Sequence, residues 1–296
     1  MAVRKDTIFE RFLSPIIRSF IDEKKLREFY ESMDWEAEGD RFRRPDLSYP
    51  HYYSSQNFHG IEGGYLNPGA SVSYDPITQY VLPPNEIWVR QGLIDSIKGT
   101  PRRILDLGCG TGSTTLMLKQ AFPQAQVTGL DLSHYMLVMA DHKANKAGLD
   151  IQWRHGNAEE TGFPDASFDV VTASLLFHET PPTVSKSILQ ECFRLLTPGG
   201  AVLILDGNQK TIRQVDWLTE VFEEPYIKDY AAGSVDAWMG AVGFEAVQTK
   251  DLFLIHQVTH GMKPIPAEGY SARVQQVPTS TTLDDFGSEG IPAPAF

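Results

Sequence analysis

The chain has 296 residues, of which 42% are hydrophobic, so it is long enough to bury the core of one large domain. Its net charge of −12 and pI near 5.1 argue against a general nucleic-acid binder, which needs a basic surface. The two cysteines, Cys109 and Cys192, argue against a disulfide framework, and no apolar run resembles a membrane span or a signal peptide. These features predict a cytoplasmic protein without an integral membrane segment.

Residues 1–98 are predicted to form a helical and aromatic-rich cap. An apolar stripe starts at Ile8, and Ser14 followed by Pro15 predicts a second helix within residues 1–45. Such a stripe favours packing onto the rest of the chain or onto a second copy, as in a homo-oligomer. Flanking basic residues leave a membrane-surface helix as the alternative.

Residues 46–85 are rich in tyrosine and glycine and too aromatic for a disordered linker. They are predicted to form an ordered loop. Two interpretations stay open, an ordinary packed loop and a segment that closes over a ligand.

A glycine turn follows the first predicted strand, Arg103 to Leu107, and leads into a helix. Glycine allows the sharp turn, and the helix start offers unpaired N–H groups to a ligand. Residues 108–112 read G-x-G-x-G rather than the G-x-G-x-x-G of dinucleotide sites. Asp106, just before the turn, would repel a pyrophosphate but would suit an ammonium group.

Strands and helices alternate from there to residue 206, which predicts an α/β doubly wound parallel sheet with helices on both faces. Residues 207–229 read as an insertion with one helical face. Two further strands, within residues 244–251 and 254–262, are predicted to pair antiparallel. Residues 264–296 lack an apolar period and are predicted to be a mostly disordered tail.

The motif Asp106-x-Gly108-x-Gly110-x-Gly112 resembles the nucleotide-binding signature of class I S-adenosylmethionine (SAM) methyltransferases. The resemblance extends over residues 99–263 and includes the acid Asp131 at the end of the second strand. The turn Leu-Leu-Thr-Pro-Gly-Gly at residues 195–200 is similar to that of the ubiquinone/menaquinone-biosynthesis C-methyltransferases. The resemblance implies a Rossmann-like, seven-stranded sheet with its last strand antiparallel, and SAM as the cofactor.

The same resemblance implies a set of residues around SAM. They are Asp106, Gly108, Cys109, Gly110, Gly112, Asp131, Leu132, Met136, Asn157, Ala158 and Ser174. Asp131 would accept from the ribose hydroxyls, and Asn157, where the family has an acid, would accept from the adenine amino group. Met136 reads equally as an adenine contact and as helix core.

The fourth strand runs into His178 and Glu179, at the sheet edge where reacting groups gather in this class of fold. His178 is the predicted general base, and Glu179 beside it would either orient it or face away; in the alternative interpretation His178 only lines the pocket wall, and Tyr74, Tyr80 or Glu179 would be the base. No metal-ligand spacing is present. The predicted function is methyl transfer to a small, aromatic or partly apolar acceptor, with two alternatives: an NAD-type oxidoreductase, and a SAM-binding protein without turnover.

Overall fold

A computed structural model describes residues 19–82, 84–215 and 224–266. The predictions for the stripe at Ile8, for Ser14 and Pro15, and for the tail beyond residue 266 lie outside these ranges. The chain divides into two compact units, residues 1–264 and residues 265–296. Everything below concerns the first unit.

The core of this unit is a seven-stranded sheet in the order β3-β2-β1-β4-β5-β7-β6. Its strands are β1 (Arg103–Leu107), β2 (Gln126–Asp131), β3 (Gln152–His155), β4 (Phe168–Ser174), β5 (Leu196–Gly207), β6 (Glu245–Leu252) and β7 (His256–Met262). The first five strands are parallel, and β7 pairs antiparallel with both β5 and β6. The predicted doubly wound sheet with an antiparallel last strand is confirmed.

Helices flank the sheet and form the cap that precedes it. In the order of the described chain they are α1 (Glu23–Ser32), α2 (Trp35–Asp40), α3 (His51–Ser54), α4 (Pro68–Val81), α5 (Glu86–Ile94), α6 (Ser113–Ala121), α7 (His134–Ala147), α8 (Pro182–Leu195), α9 (Gln209–Gln214), α10 (Ile227–Ala232) and α11 (Val235–Val242). None of these helices is both long enough and apolar enough to span a membrane.

Strand β5 shows why the sheet is covered on both faces. Val202 and Ile204 pack into one core cluster, with α8 and α11, whereas Leu203 and Leu205 pack into the other, with α5. Successive side chains of a strand point to opposite faces, so an uninterrupted apolar strand needs a partner on each side. All four residues are at most 1% exposed.

The prediction of an ordered loop at residues 46–85 is wrong over much of its length, because α3 and α4 lie inside it. Asn67 caps α4 by accepting from the Gly69 backbone N–H, and Pro68 occupies the first turn. Those are ordinary helix-start signals. Gly69 and the internal Pro76 are poor helix formers and conceal the helix in the sequence.

Candidate active site

A cleft opens at the carboxyl ends of β1, β2 and β4, between the sheet and the cap. It has about 880 Å³ of empty space, open solvent included. Its walls combine the glycine turn with an aromatic surface from the cap formed by Tyr52, Tyr53, Phe58, Tyr65 and Tyr74. A ligand held by the turn would therefore also contact the cap.

The glycine turn has the shape that a close-approaching ligand requires. Gly108, Gly110 and Gly112 have φ values of 61°, 53° and 79°, in the left-handed region that favours glycine. A Cβ on Gly110 would meet no atom within 4 Å, so its backbone faces open space in the cleft. Helix α6 starts directly after the turn without a side-chain cap, which leaves its first N–H groups available to a ligand.

Asp106 and Asp131 are both buried beside this turn. Asp106 accepts from the hydroxyls of Thr115 and Thr172, each at 2.7 Å, and burial raises the pKa of its carboxyl against those hydrogen bonds. Asp131 accepts from the backbone N–H groups of Gly110 and Ser133 at 2.7 and 2.8 Å. Burial outweighs these bonds and raises the pKa of Asp131 to about 6. Each carboxylate oxygen still has a lone pair free for a ligand hydroxyl or ammonium group.

Ser174, at the end of β4, has a buried hydroxyl oxygen with no hydrogen-bond partner among the described residues. Its side chain lines the cleft. A buried hydroxyl without a partner is costly, and a polar ligand group in the cleft would satisfy it. This orphaned atom shows that the residues present suit a polar ligand such as SAM.

The remaining predicted cofactor residues fall into two groups. Those that line the cleft are Gly108, Cys109, Leu132, Met136, Asn157 and Ala158. Met136 is also fully buried against Phe58 and Tyr65, as the helix-core interpretation expects, and its contact with adenine stays a prediction. The amide oxygen of Asn157 accepts from the Glu159 backbone N–H at 3.0 Å and keeps one lone pair for a ligand. Gly112 does not line the cleft, because its Cα faces Trp153 and Ala140 behind the turn.

Arg90 is a cleft residue that the sequence analysis missed. Its buried guanidinium donates to Glu86 and to the Thr114 hydroxyl, at 2.8 and 2.7 Å. A guanidinium has five N–H donors, more than these contacts use, so Arg90 can also bind an anionic ligand group. The sequence carried no signal for it, since Arg90 lies mid-helix in α5, upstream of the glycine turn.

His178 and Glu179 occupy a 3₁₀ turn after β4 and face different surroundings. Glu179 lines the cleft, whereas His178 does not. His178 Nδ1 lies 2.5 Å from Asp206 Oδ1, and its Nε2 lies 3.7 Å from Glu224 Oε2 and 3.9 Å from Glu179 Oε1. Asp206, near the end of β5, holds the imidazole, whereas Glu179 bonds to Tyr65 and His59. Of the two alternatives left open for Glu179, this favours the one in which it does not orient His178.

The charge of His178 follows from these neighbours. Burial by itself would lower the pKa of the imidazole, but the charges of Asp206 and Glu224 and the Asp206 hydrogen bond raise it to about 10. Asp206 also accepts from the backbone N–H groups of Phe177 and Gly207, which hold its carboxyl group in place beside the imidazole. His178 is therefore an imidazolium at neutral pH and is not free to accept a proton there.

Two non-glycine residues around the cleft have left-handed backbones. His59 has φ 53° and Leu175 has φ 58°. Such conformations cost on the order of 1 kcal/mol or more and concentrate at functional sites. His59 Nε2 lies 3.1 Å from Glu179 Oε1, so this strained turn brings the cap onto Glu179.

Comparisons with known proteins agree with this geometry. Residues 104–200 match the family model described as a methyltransferase domain. The demethylmenaquinone methyltransferase of Thermus thermophilus is 37% identical over 119 residues, 40% of this chain and 53% of that protein. The enzyme of the same name from Deinococcus radiodurans is 36% identical over 40% of this chain and 48% of its own. The chain thus spans about half the length of the curated relatives it matches.

Solved structures share the fold. Phosphoethanolamine N-methyltransferase 2 of Haemonchus contortus, in complex with SAM, has a TM-score of 0.55 at 17% identity, over 75% of this chain and 61% of that one. A SAM-dependent methyltransferase of Aquifex aeolicus has a TM-score of 0.50 at 19% identity, over 67% and 98%. The glycine turn, Asp131 and Ser174 all lie inside the range matched by the family model, so residues 104–200 of this chain carry a methyltransferase domain.

Proposed function

We propose that this protein transfers a methyl group from SAM to a small acceptor that is aromatic or partly apolar. The observation that carries the proposal is the cleft itself, which joins the glycine turn and the orphaned Ser174 hydroxyl to a wall of five aromatic rings. Flat aromatic side chains favour a flat or apolar ligand. A quinone-related acceptor, as the names of the relatives suggest, would suit such a wall.

The residues that would hold SAM follow from the cleft. Asp106 and Arg90 would bind the amino-acid end, Asp131 the ribose hydroxyls, and Met136 with Asn157 the adenine. When bound, SAM supplies a methyl group on a sulfonium, which is electrophilic without further activation. The protein then has to position the acceptor and take up its proton. Of the two predicted residues His178 and Glu179, only Glu179 lines the cleft, and it would lie beside the acceptor.

The proposal includes a small-molecule acceptor rather than a nucleic acid, supported by the net charge of −12. It also includes a cytoplasmic location, supported by Cys109 and Cys192, which are buried and unpaired. Assembly into a homo-oligomer stays a prediction.

The test is to incubate the protein with SAM and a pool of small metabolites and to measure S-adenosylhomocysteine by mass spectrometry. We expect product only when protein, SAM and the pool are all present, and calorimetry should show SAM binding but no comparable NAD binding. Tighter binding of NAD than of SAM would instead identify an oxidoreductase. SAM binding without product across broad pools would identify a binding protein without turnover.

A further inference from the structure

Glu179 lies among several polar side chains that binding of the methyl donor does not require. The hydrogen bonds and ion pairs that the Glu179 side chain makes with the described residues all go to one oxygen, Oε1. The Tyr65 hydroxyl donates to it at 2.5 Å, and His59 Nε2 lies 3.1 Å from it. Only 14% of the Glu179 side chain is exposed, yet the residue lines the cleft. Its second oxygen, Oε2, is the one left for a ligand.

A second carboxylate lies behind Glu179. Glu224 Oε2 is buried, has no hydrogen-bond partner among the described residues, and lies 3.7 Å from His178 Nε2. The imidazolium of His178 is already paired with Asp206 at 2.5 Å. This cluster holds three carboxyl groups, Asp206, Glu179 and Glu224, against two imidazoles, His178 and His59, and both imidazoles are already paired with carboxyl groups. An anionic ligand group entering here would therefore meet more acidic than basic groups and find no unpaired imidazole.

We propose that Glu179 Oε2 binds the proton-bearing group of the acceptor and removes its proton, and that the site selects an uncharged hydroxyl or amine and rejects an anionic group at this position. This inference rests on the proposed methyl transfer and names the chemistry of its second substrate. The acceptor atom would lose its proton to Oε2 and form the new bond to the methyl carbon, whose former bonding pair stays with the departing sulfur. No further reactant is needed.

The residues around Glu179 would allow it to act as a base. Tyr65 and His59 both contact Oε1, so they restrain the carboxylate and leave its second oxygen unoccupied by either of them. The aromatic wall of Tyr52, Tyr53 and Phe58 would hold an apolar acceptor body beside it. An exposed carboxylate would lack both the fixed orientation and the water-poor surroundings that make a base effective.

A chromophoric phenol tests the inference without knowledge of the natural acceptor. The probe is 4-nitrophenol, titrated into protein saturated with S-adenosylhomocysteine, over a pH range that spans the ionisation of the free probe. We expect the neutral phenol to bind at least tenfold more tightly than the phenolate, so that the absorbance of the bound probe reports a raised pKa. Glu179→Gln should reduce this preference to less than threefold.

The control is Glu245→Gln, which removes an exposed carboxylate on strand β6 and should leave the preference unchanged. Tighter binding of the phenolate, no binding of either form, or an unchanged preference in Glu179→Gln would each overturn the inference. Calorimetry with SAM separates this result from the proposed function. If Glu179→Gln binds SAM normally and wild type prefers the neutral phenol, the proposed function and the role of Glu179 are both supported. If wild type does not bind SAM, the proposed function is wrong, and the role of Glu179 is wrong with it.

Discussion

Asp131 links cofactor binding to pH at the scale of a single carboxyl group. Burial raises its pKa to about 6 in the free protein. Ribose hydroxyls would donate to the ionised form, so bound SAM would lower this pKa. A site that must lose a proton on binding has its full affinity above its free pKa and loses affinity as the pH falls through it.

We therefore expect the affinity for SAM to be constant above about pH 7 and to fall below pH 6, approaching about tenfold per pH unit for one linked proton. Calorimetry between pH 5 and 8 measures this directly. Asp131→Asn keeps the shape but not the titration, and it should bind SAM more weakly by about 1–3 kcal/mol at pH 8, with a flatter pH dependence. A variant as pH-dependent as wild type would assign the titration to another group, such as Asp106.

Removing the Ser174 hydroxyl should weaken SAM binding without destabilising the protein. Its hydroxyl oxygen is buried and unpartnered among the described residues, so the folded protein gains nothing from it. Ser174→Ala should leave the free energy of unfolding unchanged or slightly increased, while weakening SAM binding by about 0.5–1.5 kcal/mol, the usual value of one hydrogen bond. Paired thermal melts and calorimetry test this, and a large fall in Tm with normal SAM affinity would contradict it.

At the scale of elements, helix α4 of the cap is tied to the glycine turn through one side chain. Asp75 accepts from Thr111 Oγ1 at 2.5 Å, Ser113 Oγ at 3.2 Å and Lys143 Nζ at 2.6 Å. Lys143 also donates to both hydroxyls, at 3.2 and 3.0 Å. This cluster joins α4, the glycine turn and α7, so the cap and the turn cannot shift independently while it is intact.

Asp75→Asn should loosen this connection. The amide loses the charge that Lys143 pairs with, and we expect faster amide hydrogen exchange in residues 108–113 together with SAM affinity reduced by about 0.5–1.5 kcal/mol. Asp150→Asn, an exposed carboxylate after α7, serves as the matched control. Equal exchange rates in the two variants would show that Asp75 contributes little to the order of the turn.

The elements also show what the sequence can and cannot predict. Strands β1, β2, β4 and β5 were predictable because their apolar residues and the glycines or acids at their ends are local signals. Asp206 was not predicted to be a site residue. An acid near the end of a strand was the available signal, because Asp206 lies near the end of β5 as Asp106 and Asp131 do in β1 and β2. Its pairing with His178 depends on β4 and β5 being neighbours, which no local pattern shows. The contacts of His59 and Tyr65 with Glu179 likewise depend on how the cap folds onto the sheet.

At the scale of the whole molecule, the cap meets the sheet through neutral histidines. Arg43 Nη2 lies 3.1 Å from His134 Nε2, and the Tyr49 hydroxyl lies 3.2 Å from His134 Nδ1. The Arg44 backbone N–H donates to His155 Nδ1 at 2.9 Å, and His155 Nε2 lies 2.8 Å from the Leu132 carbonyl oxygen. An arginine can only donate, so His134 Nε2 must accept and carries no proton; the same holds for His155 Nδ1 facing an N–H group.

Acid should therefore loosen the cap. Burial, then the charge of Arg43 and the neighbouring His155, lower the pKa of His134 from 6.5 to about 4, and burial also lowers the pKa of His155. A histidine with a lowered pKa in the folded state binds its proton more readily when unfolded. Its contribution to stability is complete above pH 6.5 and is lost progressively as the pH falls toward 4.

The measurement compares wild type with His134→Gln, which can still accept from Arg43 but does not titrate. Above pH 7 wild type should be the more stable, and its advantage in urea unfolding should shrink steadily between pH 6.5 and 4, because only wild type takes up a proton at this position. Limited proteolysis between residues 41 and 53 should increase over the same interval in wild type, as the histidines charge against Arg43 and the Arg44 N–H. Titrating groups that do not interact with His134 affect both proteins alike and cancel in the difference. An advantage that stays constant down to pH 4 would show that His134 does not hold the cap through its neutral form.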